Sequence, residues 1–439
     1  MNAVPKGWTL ARISDLIGSK GLFADGDWVE SKDQDPDGEV RLIQLADVGD
    51  GEFRDRSSRF LRPDQAERLG CTFLREGDLL VARMPDPLGR ACIYPGGKLR
   101  AVTAVDVCII RPANDQIDNR WLMWFLNAPQ FRREVLAHQA GTTRKRISRK
   151  NLAALPLPVP PFHEQNRIVA AIEEQFSRLD AVERLLASAR RRLDLLSTAI
   201  IDSAAEGFPL KQLGELIREP LRNGHSAKRS SVGNLPVFTL TAVTKRDFSE
   251  RNTKLTDADP HRVKALWAEP GDIFVERSNT PELVGTAALY VGPSKHAIFP
   301  DLLIRVRVGS EILPEYAEIG LRSTRVRRYF QRAAKGIAGS MPKVDQDTVL
   351  AVELPIPPIN DQRHLVTQVA RNLSVLTSLS TAVDHALVRS TRLRRSILDW
   401  AFSGQLVPQE PSDEPATKLL TQIVTERSTF PSRRRKTYE

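Results

Sequence analysis

Residues 160–169, PPFHEQNRIV, are written again at 357–366 as PPINDQRHLV, so Pro160 maps onto Pro357 at an offset of 197. A chain that repeats itself at one period folds as copies of one unit, which constrains its architecture more than any local signal does. Upstream, REGDLLVAR at 75–83 answers EPGDIFVER at 269–277, an offset of 194, and GTTRKRI at 141–147 answers GSMPKVD at 339–345, an offset of 198. GWTLARISDLI at 7–17 is echoed by GFPLKQLGELI at 207–217. Only small insertions separate the copies, which tile the chain of 439 residues up to about residue 407.

Each copy reads as a globular head followed by a long helix. Short β-branched runs bounded by turn residues predict strands at 40–45, 78–82 and 103–110, with counterparts at 236–240, 272–276 and 301–308. Helical apolar spacing follows at Asn119–His138 and Pro314–Lys335, so the heads are α+β. Trp121, Trp124 and Phe125 resemble a base-stacking platform, but aromatics at that spacing predict core. LPLPVPP at 155–161 and LPIPPI at 354–359 predict a stiff extended connector between head and helix.

Beyond each connector the apolar residues fall on a heptad. Ile172, Leu179, Leu186, Leu193 and Ile200 stand seven apart, with Val182 and Leu196 in the second row. The other copy offers Val369, Leu376, Val383, Ser390 and Ile397, with Leu379 and Leu393 between. Gln175 and Asn372 occupy one equivalent seam position, either as a register-fixing polar pair or as a frayed entry turn. Two helices of ~40 residues, each ~60 Å long, are expected to pair antiparallel as a coiled-coil spacer. The expected division is 1–160 first head, 161–206 first long helix, 207–357 second head, 358–407 second long helix and 408–439 flexible tail.

A formal net charge of +10 and a pI near 9.6 favour a polyanionic partner. The charge is clustered. Gly141, Thr142 and Thr143 lead into Arg144, Lys145, Arg146, Arg149 and Lys150, and Arg325, Arg327, Arg328 and Lys335 lead into Gly339, Ser340 and Lys343. Glycine and small hydroxyl residues let backbone amides approach a phosphate, and arginine adds paired hydrogen bonds to guanine. Arg83 and Arg277, in matching places after the Gly-Asp strands, are further candidates for DNA contact. The acidic stretch Asp25–Glu39 reads as a solvated insertion, and Ser432–Lys436 as part of a disordered tail. Duplicated heads on a coiled coil imitate a dimeric DNA binder, and because the heads differ, so should their half-sites.

Signatures of catalysis are broken. Val159-Pro160-Pro161-Phe162 resembles the base-holding tetrapeptide of amino-methyltransferases, yet valine cannot accept a hydrogen bond from an exocyclic amine. Gly97-Lys98 lacks the phosphate-loop glycine, and the histidines form no ligand or triad pattern. Cys71, Cys92 and Cys108 have neither zinc-finger spacing nor an even count. The N-terminus carries no signal-like run and no stretch has the length of an apolar membrane span, so a cytoplasmic chain is expected.

The twofold PP-x-x-[ED]-Q helix entry, the Gly-Asp strand phrase, the basic run after G-[ST], and helix ends reading AAEGF and AFSGQLVP resemble the specificity subunits of type I restriction-modification enzymes. The likeness covers residues 1–407 and implies that the heads are target-recognition domains reading an asymmetric bipartite DNA sequence. It also implies two methyltransferase subunits docking on the helical region, with restriction (motor-nuclease) subunits joining them. S-adenosylmethionine, ATP and Mg would then belong to those partners, with no cofactor, metal or catalytic residue in this chain and an adenine flipped into a partner's pocket. The competing readings are a coiled-coil adaptor without sequence preference, a stand-alone adenine methyltransferase, and an RNA-binding protein.

Overall fold

Leu79–Ala82 and Ile273–Glu276, the strands that follow the two Gly-Asp pairs, are buried on both faces, as their dense apolar runs demand. Each lies inside a four-stranded antiparallel sheet of one topology. In the first copy the order is Leu22–Ala24, Val107–Arg111, Leu79–Ala82, Ala91–Ile93. In the second it is Arg222–Asn223, Leu303–Val306, Ile273–Glu276, Ala287–Leu289. The structure is a computed structural model describing residues 4–18, 20–85, 87–112, 117–142, 144–226, 228–336 and 341–429. It is α+β, with two β-rich globular regions and two long helices packed together.

The heads diverge around this shared sheet. Val40–Ile43 pairs with Phe60–Leu61 on one side and runs parallel to Arg100–Thr103 on the other. The second head has instead a ribbon of Leu235–Phe238 and Thr253–Thr256. The run expected as one strand at 103–110 is two, ending at Thr103 and resuming at Val107. Each expected head helix is likewise two: Asn119–Asn127 and Pro129–Ala137, then Pro314–Arg322 and Thr324–Ala333. Pro129 cannot continue the helix before it, and Ser323 caps the helix after it. Trp121 and Phe125 are buried, and Trp124 packs edge-on against Phe176, so these rings are core.

The proline-rich stretches belong to the heads and are not separate connectors. Pro156–Val159 pairs antiparallel with Thr9–Arg12, and Glu353–Pro355 with Leu210–Gln212. Leu157 and Val159 point into the core while Pro156 and Pro158 face outward, the edge arrangement that a residue without an N–H tolerates. Asp78 and Asp272 of the Gly-Asp pairs are buried, holding Arg111 at 2.5 and 2.6 Å and Arg307 at 2.5 and 3.0 Å on the neighbouring strand. The Gly-Asp phrase therefore encodes an ion pair inside each sheet.

The long helices are Phe162–Ala204 and Ile359–Phe402. The chain divides into two units, Met1–Arg184 with Leu387–Glu439 and Leu185–Ala386, and each long helix contributes to both. In the first unit the helices run antiparallel, with Ser390 and Arg394 on Glu183, Arg394 also on Asp180, and Ile172 sharing a core with Ile397 and Ala401. In the second unit they are again antiparallel, with Arg190 on Asp384 at 2.9 Å and Ile201 packing with Val369.

The row spaced by seven lies along this contact: Ile172, Val369 and Ile397 are buried, and Leu179, Leu186, Leu193, Ile200, Leu376 and Val383 half-buried. The second row does not follow the expectation, because Val182, Leu196, Leu379 and Leu393 are 42–52% exposed. Its place is taken one residue later, by Phe176, Glu183, Arg190 and Ser197 and by Leu373, Ser380, Leu387 and Arg394. Long charged side chains pair across the helices there, so a contact row reads as a solvent face. Phe176 and Leu373 likewise displace Gln175 and Asn372, which stay half-buried.

The expectation of a flexible tail from residue 408 also fails. Ala416–Thr429 is a helix whose Ala416, Leu419 and Ile423 are buried in the first unit's core. Ala416 N–H donates to the Gly7 carbonyl at 3.0 Å, and Arg167 holds Asp413 at 2.6 Å. Apolar residues at helical spacing within a polar segment give this stretch a face worth burying. Ser432–Lys436 lie outside the described residues.

Candidate nucleic-acid interface

In each head a loop is pinched shut by a two-way backbone bridge. Ala140 and Arg146 exchange hydrogen bonds of 2.8 and 2.9 Å, and Lys335 and Lys343 exchange two of 2.9 Å. The next residue, Ile147 or Val344, is buried, and its N–H donates to the carbonyl of Arg83 at 3.1 Å or of Arg277 at 2.9 Å. The residue after it, Ser148 or Asp345, caps a short helix. The two loops are thus closed by the same backbone bridge, and Arg83 and Arg277 are brought beside them through their backbones. Gly141 takes a φ of +98°, and a Cβ there would meet the Arg144 carbonyl, so the turn is tight.

The side chains fall into two groups. Gly141, Thr142, Arg144, Lys145 and Arg146 are exposed on the first loop and Lys150 on the short helix after it, and Arg328, Lys335 and Lys343 on or near the second. Lys335 lies 3.7 Å from Asp345. All of these residues reach solvent. Thr143, Gly339 and Ser340 lie outside the described residues.

Several candidate cations are tied to partners within the protein. Arg83 is only 13% exposed, donating to the Val105 carbonyl at 2.6 Å and pairing with Asp25 at 3.3 Å. Arg149 reaches the same Asp25 at 3.4 Å and the Phe23 carbonyl at 2.8 Å. The acidic stretch from Asp25 to Glu39 is therefore solvated only in part: Asp33 is buried, on Arg68 at 2.9 Å, while Glu30, Asp37 and Glu39 are exposed. Arg325 donates to the Glu353 carbonyl at 2.6 Å and, with Arg328, lines a cleft of about 1030 Å³ in the second unit.

Arg327 holds the carbonyls of Glu282 at 2.8 Å and Val284 at 2.9 Å, and burial lowers its pKa. The first head repeats the arrangement: Arg132 donates to the Leu88 carbonyl at 2.8 Å, and burial lowers its pKa too. Arg132 was invisible as a functional residue because nothing around it in sequence is basic beyond Arg133. Both arginines brace the hairpin loop that follows the Gly-Asp strand.

Gln165 and Gln362, the last letters of the duplicated PP-x-x-[ED]-Q phrase, are fully buried. Gln165 accepts from Asp118 N–H at 3.0 Å and donates to the Pro160 carbonyl at 3.1 Å. Gln362 accepts from Leu313 N–H at 2.8 Å and donates to the carbonyls of Glu311 at 2.9 Å and Pro357 at 3.0 Å. Each amide ties the start of a long helix to the entry of a head helix, which explains why a polar residue recurs at that place.

Among the described residues no cluster of histidine, cysteine or acidic groups fits a metal ion. Burial pushes the Cys71 and Cys92 thiols up to about 12, far from nucleophilic use. No helix among the described residues is long and apolar enough to cross a membrane.

Residues 5–188 match the family model described as type I restriction modification DNA specificity domain. The type I restriction enzyme EcoKI specificity subunit of Escherichia coli (strain K12) is 25% identical over 346 residues, covering 73% of this chain and 74% of its own length. The StySPI specificity subunit of Salmonella potsdam is 22% identical over 346 residues, covering 71% of this chain and 72% of its own. The HsdS subunit from Thermoanaerobacter tengcongensis superposes with a TM-score of 0.52 at 19% identity, over 92% of this chain and 98% of that one. A chain from a structure concerned with assembly and conformational transition of the type I R-M system gives 0.72 at 18% identity, over 92% and 100%. With the duplicated head, the paired long helices and these relatives in agreement, residues 5–188 carry a type I restriction modification DNA specificity domain, and the chain as a whole is similar to type I restriction-modification specificity subunits.

Proposed function

We propose that this chain reads an asymmetric bipartite sequence in double-stranded DNA, one half-site per head, and carries two methyltransferase subunits and the restriction subunits on its helical region. The observation that supports this most is the pair of pinched basic loops, closed by the same backbone bridge and unlike in sequence. A shared frame offers phosphates the same grip twice, while the differing side chains give each head its own preference. Leu185, Leu195 and Val375, 55–71% exposed along the long helices, fit protein partners. S-adenosylmethionine, ATP and Mg act in those partners, and the cytoplasm is where the complex would meet DNA.

The test is charge reversal at Arg144 and Lys145, read as binding to DNA carrying the whole target at several salt concentrations. Weaker binding is expected, with the slope of log affinity against log salt falling by ~1 for each phosphate no longer gripped. Unchanged affinity and slope remove the first loop from the interface. An adaptor without sequence preference would bind all duplexes alike.

A further inference from the structure

Beside each pinched loop stands the hairpin loop after the Gly-Asp strand, built on a common frame. Gly89 N–H donates to the Ala82 carbonyl and Gly285 N–H to the Glu276 carbonyl, each at 2.8 Å, closing the two hairpins at equivalent places. Both glycines have positive φ, +80° and +73°, which strains any side chain, and at Gly285 a Cβ would also collide with Phe330. Arg132 and Arg327 brace the far limbs, and the carbonyls of Arg83 and Arg277 bind the near limbs to Ile147 and Val344.

Between these fixed points the copies differ. Sequence 84–88, MPDPL, faces sequence 278–284, SNTPELV. In the second head Thr280, Pro281 and Glu282 form the exposed tip. It is held from below: Asn279 donates to buried Glu276 at 2.6 Å, Thr280 N–H to Asn279 Oδ1 at 2.8 Å, and Leu283 and Val284 N–H to the Thr280 carbonyl at 3.0 and 2.9 Å. Ser278 bridges to Lys343 of the pinched loop, so a phosphate held there would bring base edges to this tip. A carboxylate facing DNA is repelled by every phosphate, and a hydrogen bond from a base amine offsets that cost.

We propose that the 278–284 loop is the base-reading element of the second head, and that Glu282 accepts a hydrogen bond from the exocyclic amine of cytosine or adenine. This rests on the DNA-binding reading above. The side chain is exposed at the tip, where its carboxylate accepts from the Thr280 hydroxyl and from its own N–H, and its backbone carbonyl keeps the Arg327 bond whatever side chain is present.

The test is selection of binding sites from a random duplex library by the full chain, as wild type, E282Q, E282A and K343E. For E282A, selectivity should be lost at one base pair of one half of the motif, with affinity for the wild-type site down roughly tenfold or more. E282Q separates the two amines: a cytosine contact should turn into an adenine preference at that position, whereas an adenine contact should keep adenine, since glutamine pairs with adenine on two atoms. Weakened binding by K343E with an unchanged motif and affinity for both Glu282 variants overturns the assignment of Glu282. Unchanged binding by K343E and by both Glu282 variants overturns DNA contact by this face of the second head altogether.

Discussion

Replacing Gln362 with leucine keeps much of the side-chain volume and removes three hydrogen bonds, to Leu313 N–H and to the carbonyls of Glu311 and Pro357. A buried group left unpaired costs about 1–3 kcal/mol. Only the bond to Pro357 is fully enclosed, and water can reach the other partners, so the low end applies: about 3 kcal/mol at about 1 kcal/mol each. Gln165 makes two such bonds, and Gln165→Leu should cost about 2 kcal/mol on the same reckoning. Hydrogen exchange followed by mass spectrometry reads the two units separately. Q362L should lower protection in the second unit, and Q165L should lower it less in the first. If both stay within about 0.5 kcal/mol of wild type, as surface substitutions do, the amides are not what fastens head to helix.

Ile172→Ala should cost about 2–5 kcal/mol in the first unit, whereas Leu196→Ala, off the helix contact, should stay within about 0.5 kcal/mol; denaturant melts compare them. Leu419→Ala with Ile423→Ala should destabilise the first unit by several kcal/mol, about 2 or more each, and leave exchange in the second unchanged. Arg83→Ala should lower the first unit's stability more than the salt slope of DNA binding, because its guanidinium serves Asp25 and the Val105 carbonyl.

The duplication was legible because whole phrases recur, and it foretold two sheets of one topology without fixing their neighbours. The heptad gave the right row at Ile172 and Ile397 and the wrong second row, since hydrophobicity finds Val182 but cannot see that Glu183 and Arg394 meet across the helices. Charge runs located the pinched loops, yet could not separate Lys145, which faces solvent, from Arg327, which faces carbonyls. That distinction depends on partners more than forty residues away in the chain, Val284 for Arg327 and Leu88 for Arg132. Proline content suggested a break at 155–161 where an edge strand stands, because a missing N–H is compatible with both.

Ala416 hydrogen-bonded to Gly7, and Phe402 packed edge-on against Trp121 and Phe125, carry a consequence for synthesis. Residues 397–423 leave the ribosome only after all of Leu185–Ala386 has been made, so the first globular region waits, with part of its apolar interior uncovered, until the rest of the polypeptide has emerged. A nascent chain stalled within the second region would display that unfinished surface to chaperones and proteases, and the cell would hold few truncated readers able to grip one half-site alone.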